Sequence, residues 1–207
     1  MRKLKLAATW PFPQMKKLPR SFYLRPTLTI AKDLLGKYIV RKLGKKSLIG
    51  KIVEVEAYLG EKDPASHAFR GRTKRNEVMF KEGGHLYVYF TYGMHFCSNV
   101  VTESEGVGHA VLLRAVEPVN GLEVMQQLRG TKGVGVNVTN GPAKLCEAFG
   151  IQRDQNGTDL RGNEIFLAEG EKIQGSKIGS STRIGIRNGI DKRWRFFIKE
   201  NPFVSKR

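Results

Sequence analysis

The sequence predicts an α+β fold: one compact domain of hairpin-connected strands with a few short helices. Three observations predict it. Several stretches alternate apolar and polar residues and are separated by Gly-bearing turns, the pattern of half-buried antiparallel strands. Helical spacing of apolar residues occurs only in short windows closed by glycine. No βαβ nucleotide fingerprint is present, and Gly130-Thr131-Lys132-Gly133 lacks the spacing of a phosphate loop. A chain of 207 residues that is 40% hydrophobic suffices for one packed domain and is marginal for two.

In chain order, residues 1–20 form a basic, Pro-punctuated N-terminal arm, and residues 21–207 form the single domain. Residues 27–35 read as a helix with a threonine cap and a stop at Gly36. Residues 37–43 read as a strand, 44–46 as a turn and 47–59 as a longer strand. On that longer strand the period-two rule puts Val53, Val55, Ala57 and Leu59 on a core face. It puts Glu54, Glu56 and Tyr58 on the other face, toward solvent or a groove. Residues 61–76 are polar and carry the basic run Arg70-Gly71-Arg72-Thr73-Lys74-Arg75. Residues 86–99 read as two strands around the bend Thr91-Tyr92-Gly93-Met94, and 110–114 as a short strand. Residues 122–129 and 142–149 read as helices, the second with proline at its first position and Gly150 after its end. Residues 130–140 are a loop. Residues 151–180 are loop-rich with a strand at 164–167, and a last strand spans 194–199.

Lys and Arg number 36 against 19 Asp and Glu, a formal net charge of +17. Such an excess calls for a polyanionic partner, nucleic acid before an acidic membrane surface. No apolar run is long enough to span a bilayer, and the N-terminal apolar stretch is cut short by Pro11 and Pro13, so a cytoplasmic protein is expected. Cys97 and Cys146 belong to no CxxC pair and read as buried thiols. The histidines, at 67, 85, 95 and 109, are scattered without metal spacing, and no Gly-x-Ser-x-Gly elbow occurs. No metal or cofactor is implied.

The remaining chemistry is a carboxylate on a strand face, Glu56, with Tyr58 two residues on and His67 nearby. An aromatic group follows, Tyr87-Val88-Tyr89-Phe90-Thr91-Tyr92. By pattern alone these tyrosines are as well explained by strand propensity, and Glu54 is as good a candidate base as Glu56. In a basic protein, however, grouped tyrosines suit base stacking, and Tyr92 at a hairpin tip suits a wedge between base steps. A carboxylate beside a stacking pocket suits a general base for water attack.

These segments, Val53-Glu54-Val55-Glu56-Ala57-Tyr58-Leu59-Gly60, Pro64-Ala65-Ser66-His67, Leu86-Tyr87-Val88-Tyr89, Tyr92-Gly93-Met94, Phe96-Cys97-Ser98-Asn99, Val111-Leu112-Leu113-Arg114-Ala115 and Asn140-Gly141-Pro142-Ala143-Lys144-Leu145, resemble the alkyladenine (3-methyladenine) DNA glycosylase family in its bacterial short form. The resemblance runs in order from about Leu24 to Ser205. It implies a monofunctional glycosylase of base excision repair that flips alkylated or deaminated purines from double-stranded DNA: 3-methyladenine, 7-methylguanine, hypoxanthine, ethenoadenine. It implies a curved antiparallel sheet resembling the C-terminal domain of methionyl-tRNA formyltransferase, and a monomer. Residue by residue, Glu56 matches the general base and Arg114 an arginine near it. Tyr58, His67 and Tyr89 match the residues that sandwich the flipped base, and Asn99 the one that crowds the exocyclic amine of guanine. Tyr92 matches the residue that fills the vacated space in the duplex, and Arg72 and Thr73 match contacts to the DNA backbone. Glu54 is then a structural partner. The chain departs from the family pattern in a shorter loop after Arg72, in His95 beside the hairpin tip, and in a longer segment at 102–109. Non-catalytic DNA binding and RNA binding are the competing readings. The wedge and pocket suit a deformed duplex better than RNA.

Overall fold

The computed structural model describes residues 15–130 and 135–205; most of the basic arm (1–14), part of the 130–140 loop (131–134) and residues 206–207 lie outside it. Among the described residues four α-helices and eight strands appear in chain order, with short 3-10 turns between them: α1 (Arg20–Tyr23), α2 (Thr27–Asp33), β1 (Tyr38–Leu43), β2 (Lys46–Leu59), β3 (Leu86–Thr91), β4 (His95–Thr102), β5 (His109–Asn120), α3 (Leu122–Arg129), α4 (Pro142–Ala148), β6 (Ile165–Ala168), β7 (Ile178–Ser181) and β8 (Arg195–Ile198). This is the expected α+β arrangement of mostly antiparallel pairs. Three elements differ from the sequence reading. The fifth strand runs on to Asn120 instead of stopping at Arg114, β7 emerges from a segment read mostly as loop, and α1 spans the junction of arm and domain, where no helix is expected. Thr27 is no cap either. It is the first helical residue, and its hydroxyl turns away to bond the Glu103 carboxylate at 2.5 Å. The described end of the arm is packed down: Lys17 bridges to Ala168 and Leu18 is buried.

The sheet runs β3-β4-β5-β2-β1-β6, and β8 joins it beside β2, with β7 beyond. β2 is the axis of this branching. Along one edge it pairs with β5. Along the other it pairs with β1 over residues 46–51 and with β8 over residues 54–56. One face of the sheet packs on α2 and α4 around the main core, which holds Leu48, Ile52, Val55, Ala57, Val88, Val100, Val111, Leu113 and Phe149.

Two β-bulges sit in the middle of the β2–β5 ladder. Ile52 lies opposite Val116 and Glu54 opposite Ala115, so Val53 is an extra residue on β2. Glu54 lies opposite Ala115 and Val55 opposite Leu113, so Arg114 is an extra residue on β5. A bulge breaks the strict two-residue alternation. Even-numbered residues of β2 therefore face the main core before the bulge (Leu48, Ile52), and odd-numbered ones face it after (Val55, Ala57). This corrects the core face expected for Val53, which is buried but stands outside that cluster. It also leaves Glu54, Glu56 and Tyr58 together on the opposite face.

Candidate active site

Opposite the core, alternate residues of four strands converge. Tyr87 and Tyr89 come from β3, Cys97 and Asn99 from β4, Leu112 and Arg114 from β5, and Tyr58 from β2; all line one cavity of about 370 Å³. That is the size range of small-molecule pockets. Their strand neighbours Val88, Val100, Val111 and Ala57 point into the core instead. The loop after β2 closes one side with Pro64, Ala65 and His67, and residues 184–188 close the other. Six of the nine residues singled out in the sequence thus share the cavity: Tyr58, His67, Tyr89, Tyr92, Asn99 and Arg114. Glu56 stands directly behind it, and Arg72 and Thr73 lie outside on an exposed loop.

The aromatic lining is ordered by its own contacts. Tyr87 and Tyr89 stack at 5.6 Å, and His67 meets Tyr89 edge-on at 4.5 Å. His67 Nδ1 is 3.0 Å from the Tyr87 hydroxyl. The imidazole is open to the cavity on one side. Protein packed round the rest of it, with the nearby Arg75 charge, lowers its pKa below the ordinary histidine value. The ring is therefore neutral at neutral pH. Burial pushes the Tyr87 phenol up to about 12 and raises Tyr58 and Tyr89 as well, so all three present uncharged rings. Asn99 is 4% exposed and donates through Nδ2 to the Tyr87 carbonyl at 3.2 Å, which fixes its amide against the cavity wall.

Glu54 and Glu56 do not meet solvent: both are 0% exposed. Their surroundings separate their roles. Glu54 accepts from Arg114 Nε at 2.8 Å, Arg195 Nε at 2.7 Å, the Ser205 N–H at 2.6 Å and the Ser205 hydroxyl at 2.8 Å. Burial alone would raise its pKa; Arg114, the Ser205 N–H and Arg195 outweigh that and hold it below the usual carboxylate value. Three of these bonds fall on Oε1 and one on Oε2, and of the three partner residues only Arg114 lines the cavity. Glu56 accepts from the Ile184 N–H at 2.8 Å on Oε1, with Arg114 Nη1 at 3.2 Å from the same oxygen. Oε2 takes one bond, from the Tyr58 hydroxyl at 2.8 Å. A carboxylate oxygen offers two acceptor positions. Among the described residues Oε2 keeps one free, and the three partners of Glu56, Tyr58, Arg114 and Ile184, all line the cavity. Arg114, held in the bulge of β5, joins both glutamates; burial lowers its pKa, and the two carboxylates reverse this and raise it.

The β3–β4 hairpin carries Tyr92 at its tip, 80% exposed, with Met94 at 69% beside it. Thr91 and Met94 close the turn by a backbone bond of 3.2 Å, and both central residues have positive φ, 52° at Tyr92 and 67° at Gly93. Glycine adopts this region freely. A tyrosine there costs about 1–2 kcal/mol, so the chain spends stability to hold a large ring in the open.

Sequence reasoning missed three parts of the site. Asn76 is 2% exposed; its amide donates to the carbonyls of His67 and Gly71 and accepts from the Thr73 N–H at 2.6 Å, shaping the loop that bears His67, Arg72 and Thr73. Residues 184–188 form the far wall, and Ser205 closes the Glu54 network. Only the polar type of Asn76 inside a Gly-bearing basic loop could have marked it beforehand. Residues 184–188 and Ser205 carry no local signal, because the glutamates they meet stand far off in the chain: Ile184 reaches Glu56 across 128 positions and Ser205 reaches Glu54 across 151. Cys97 and Cys146 are buried thiols, as expected, with burial raising the pKa of both. Among the described residues no group of three His, Cys, Asp or Glu is placed to hold a metal ion, and no helix is long and apolar enough to cross a membrane.

The model of the methylpurine-DNA glycosylase family matches residues 21–202. A protein of Carboxydothermus hydrogenoformans is 52% identical over 191 residues, covering 92% of this chain and 99% of its own. One from Methanoculleus marisnigri is 49% identical over 193 residues, 92% of this chain and 99% of its own. One from Chlorobium phaeobacteroides is 47% identical over 193 residues, 93% and 98%. All three carry the provisional name 3-methyladenine DNA glycosylase. The chain belongs to the methylpurine-DNA glycosylase family and is a DNA glycosylase, a hydrolase of N-glycosyl bonds.

Proposed function

We propose that the protein, acting as a monomer on duplex DNA, turns alkylated or deaminated purines out of the stack into the aromatic cavity. There it hydrolyses the N-glycosidic bond with a water activated by Glu56, leaving an abasic site. The observation that carries this reading is the buried Glu56 carboxylate, held on Oε1 by Ile184 and Arg114, with its one free acceptor position on Oε2 beside the cavity. A water bonded there gives its proton to Glu56 as its oxygen attacks the sugar carbon and the base departs, a general-base contribution of roughly 10²–10⁴-fold. The same anion steadies positive charge developing on the sugar.

The other residues serve extrusion and selection. A purine in the stack is out of reach, and taking it out costs a few kcal/mol, less for a damaged base. Tyr92, already exposed, fills the vacancy and offsets part of that cost. Tyr58, His67 and Tyr89 hold the flipped base, and a cationic alkylated purine gains from the ring faces of the tyrosines. Asn99 crowds the exocyclic amine of guanine. Arg72 and Thr73 hold the backbone, with a net charge of +17 drawing the protein to DNA. The names of the relatives make 3-methyladenine the first substrate to try, with 7-methylguanine, hypoxanthine and ethenoadenine beside it. No lysine lines the cavity as an amine nucleophile among the described residues, so the product is an abasic site without strand cleavage.

The test is a single-turnover assay on duplex oligonucleotides carrying one such lesion. Strand breaks should appear only after hot alkali, and borohydride should trap no protein–DNA adduct. Breaks without alkali, or a trapped adduct, would overturn hydrolysis by water. Release from single-stranded RNA as fast as from duplex DNA would overturn the substrate class.

A further inference from the structure

A buried ion pair behind the cavity has no part in the mechanism above. Asp63 and Arg183 both have side chains that are 0% exposed, and they are bonded to each other, with Nη2 to Oδ1 at 2.7 Å. Arg183 also donates to the carbonyls of Ala57 at 2.9 Å and Gly189 at 3.3 Å, while its Nε–H meets no acceptor among the described residues. Burying such a pair gains little stability over apolar residues of similar volume, and an unpartnered N–H makes it worse. Its position offers another reason for it. The Arg183 guanidinium lies 4.6 Å from the centre of the Tyr58 ring and 5.2 Å from that of Trp194. Tyr58 lines the cavity, and Arg183 does not. The Tyr58 ring therefore stands between a fixed cation and the space a flipped base occupies.

We propose that the Asp63–Arg183 pair sets the charge selectivity of the pocket by holding a cation against the back of Tyr58, which lowers the reward for a cationic base relative to a neutral one. This rests on the base-flipping reading above. An aromatic face attracts a cation through its quadrupole. A second cation on the opposite face repels the first across the ring. Asp63, bonded to the same guanidinium, tempers that repulsion without cancelling it. Arg183 is thus a selectivity-determining residue that acts through Tyr58, and it lets the pocket accept neutral lesions beside alkylated cations. A structural role alone, joining the Asp63 loop to residues 183–189, would affect all substrates alike.

The experiment compares single-turnover efficiencies on two duplexes, one carrying cationic 7-methylguanine and one carrying neutral hypoxanthine. Asp63→Asn with Arg183→Met removes both charges and leaves no buried charge unpaired. It should raise the ratio of 7-methylguanine to hypoxanthine release about three- to tenfold. Asp63→Asn alone leaves the guanidinium without its counter-charge and should lower the ratio by a similar factor. Arg183→Lys should hold it near wild type. A ratio unmoved in the charge-altering variants, or moved the same way in both, overturns the proposal. If the double variant fails to fold, Asp63→Asn decides by sign, and an unchanged or higher ratio overturns it. Wild-type protein that releases neither base overturns the parent reading instead, so the two failures are distinct.

Discussion

Changing Glu54 to glutamine and, separately, Glu56 to glutamine should divide stability from catalysis, although the residues are two apart on one strand. Glu54 gathers two guanidinium groups and both donors of Ser205 at 2.6–2.8 Å, fully buried. A glutamine there turns an N–H₂ toward donors and removes the charge shared by Arg114 and Arg195. Breaking a buried pair on one side costs about 3–5 kcal/mol. For a chain of this length each kcal/mol shifts the melting temperature by about 2–4 °C. A loss of about 10 °C follows for Glu54→Gln. Glu56→Gln keeps an oxygen for the Ile184 N–H, and Arg114 keeps Glu54 at 2.8 Å. Its cost is about 1 kcal/mol, a few degrees at most. Catalysis should behave oppositely. In single-turnover assays well below melting, Glu56→Gln should lose about 10²–10⁴-fold and Glu54→Gln less than about tenfold. Thermal melts monitored by circular dichroism, run beside the excision assay, read both quantities. A Glu54→Gln protein that melts with wild type yet releases no base, beside an active Glu56→Gln protein, would exchange the roles of the two carboxylates and refute the reasoning.

Three further outcomes are expected. Because the folded pKa of Glu54 is depressed below 4.5, its contribution to stability is full above about pH 4.5 and drains away as pH falls through the folded value, so wild-type melting temperature should drop more steeply in acid than that of Glu54→Gln. Tyr92→Gly should relieve the positive φ of 52° and hold or raise the melting temperature by a few degrees, while weakening excision from duplex by about tenfold as the stacking ring is lost; equal excision in both proteins would remove Tyr92 from the wedge role. Asn76→Ala strands the Thr73 N–H and two carbonyls, and should cost about 2–3 kcal/mol together with salt-sensitive duplex affinity, since Arg72 and Thr73 lose their loop geometry; native-like melting in that variant would show the loop is held by other means.

Every strand but β7, and three of the helices (α2, α3 and α4), were legible because local alternation and end signals suffice for them. The ranges of α3, β3 and the long strand β2 agree with the pattern to within a residue. The hairpin tip was legible for the same reason: Tyr92-Gly93 is a turn written in neighbouring residues. The cavity was half legible. Tyr87, Tyr89, Cys97 and Asn99 share a face by parity alone. What local pattern could not give is the branch of the sheet at β2 and everything that depends on it. Arg195 reaches Glu54 across 141 positions, Ser205 across 151, and Ile184 reaches Glu56 across 128. No periodicity encodes such pairings, and β7, with the sequence Ile178-Gly179-Ser180-Ser181, has too few apolar or β-branched residues to register as a strand before β8 is in place beside it.

The same limit explains why Glu54 and Glu56 were indistinguishable by pattern and are so unlike in the fold. Period two assigns them one face, correctly, and that face is buried for both. The difference arises because β8 pairs with β2 just there, with Phe197 opposite Glu54 and Arg195 opposite Glu56. This brings the Arg195 guanidinium and Ser205 over Glu54, while residue 184, on the approach to β8, offers Glu56 a single backbone N–H. The bulge at Arg114 completes the asymmetry. As the extra residue on β5 it lies between the two registers, and its guanidinium spans both carboxylates, Nε to Glu54 and Nη1 to Glu56. Glu54 is thereby tied to Arg195 and Ser205, which do not line the cavity, whereas all three partners of Glu56, namely Tyr58, Arg114 and Ile184, do. This is why the proposed general base is the second glutamate, and why the first is expected to serve packing.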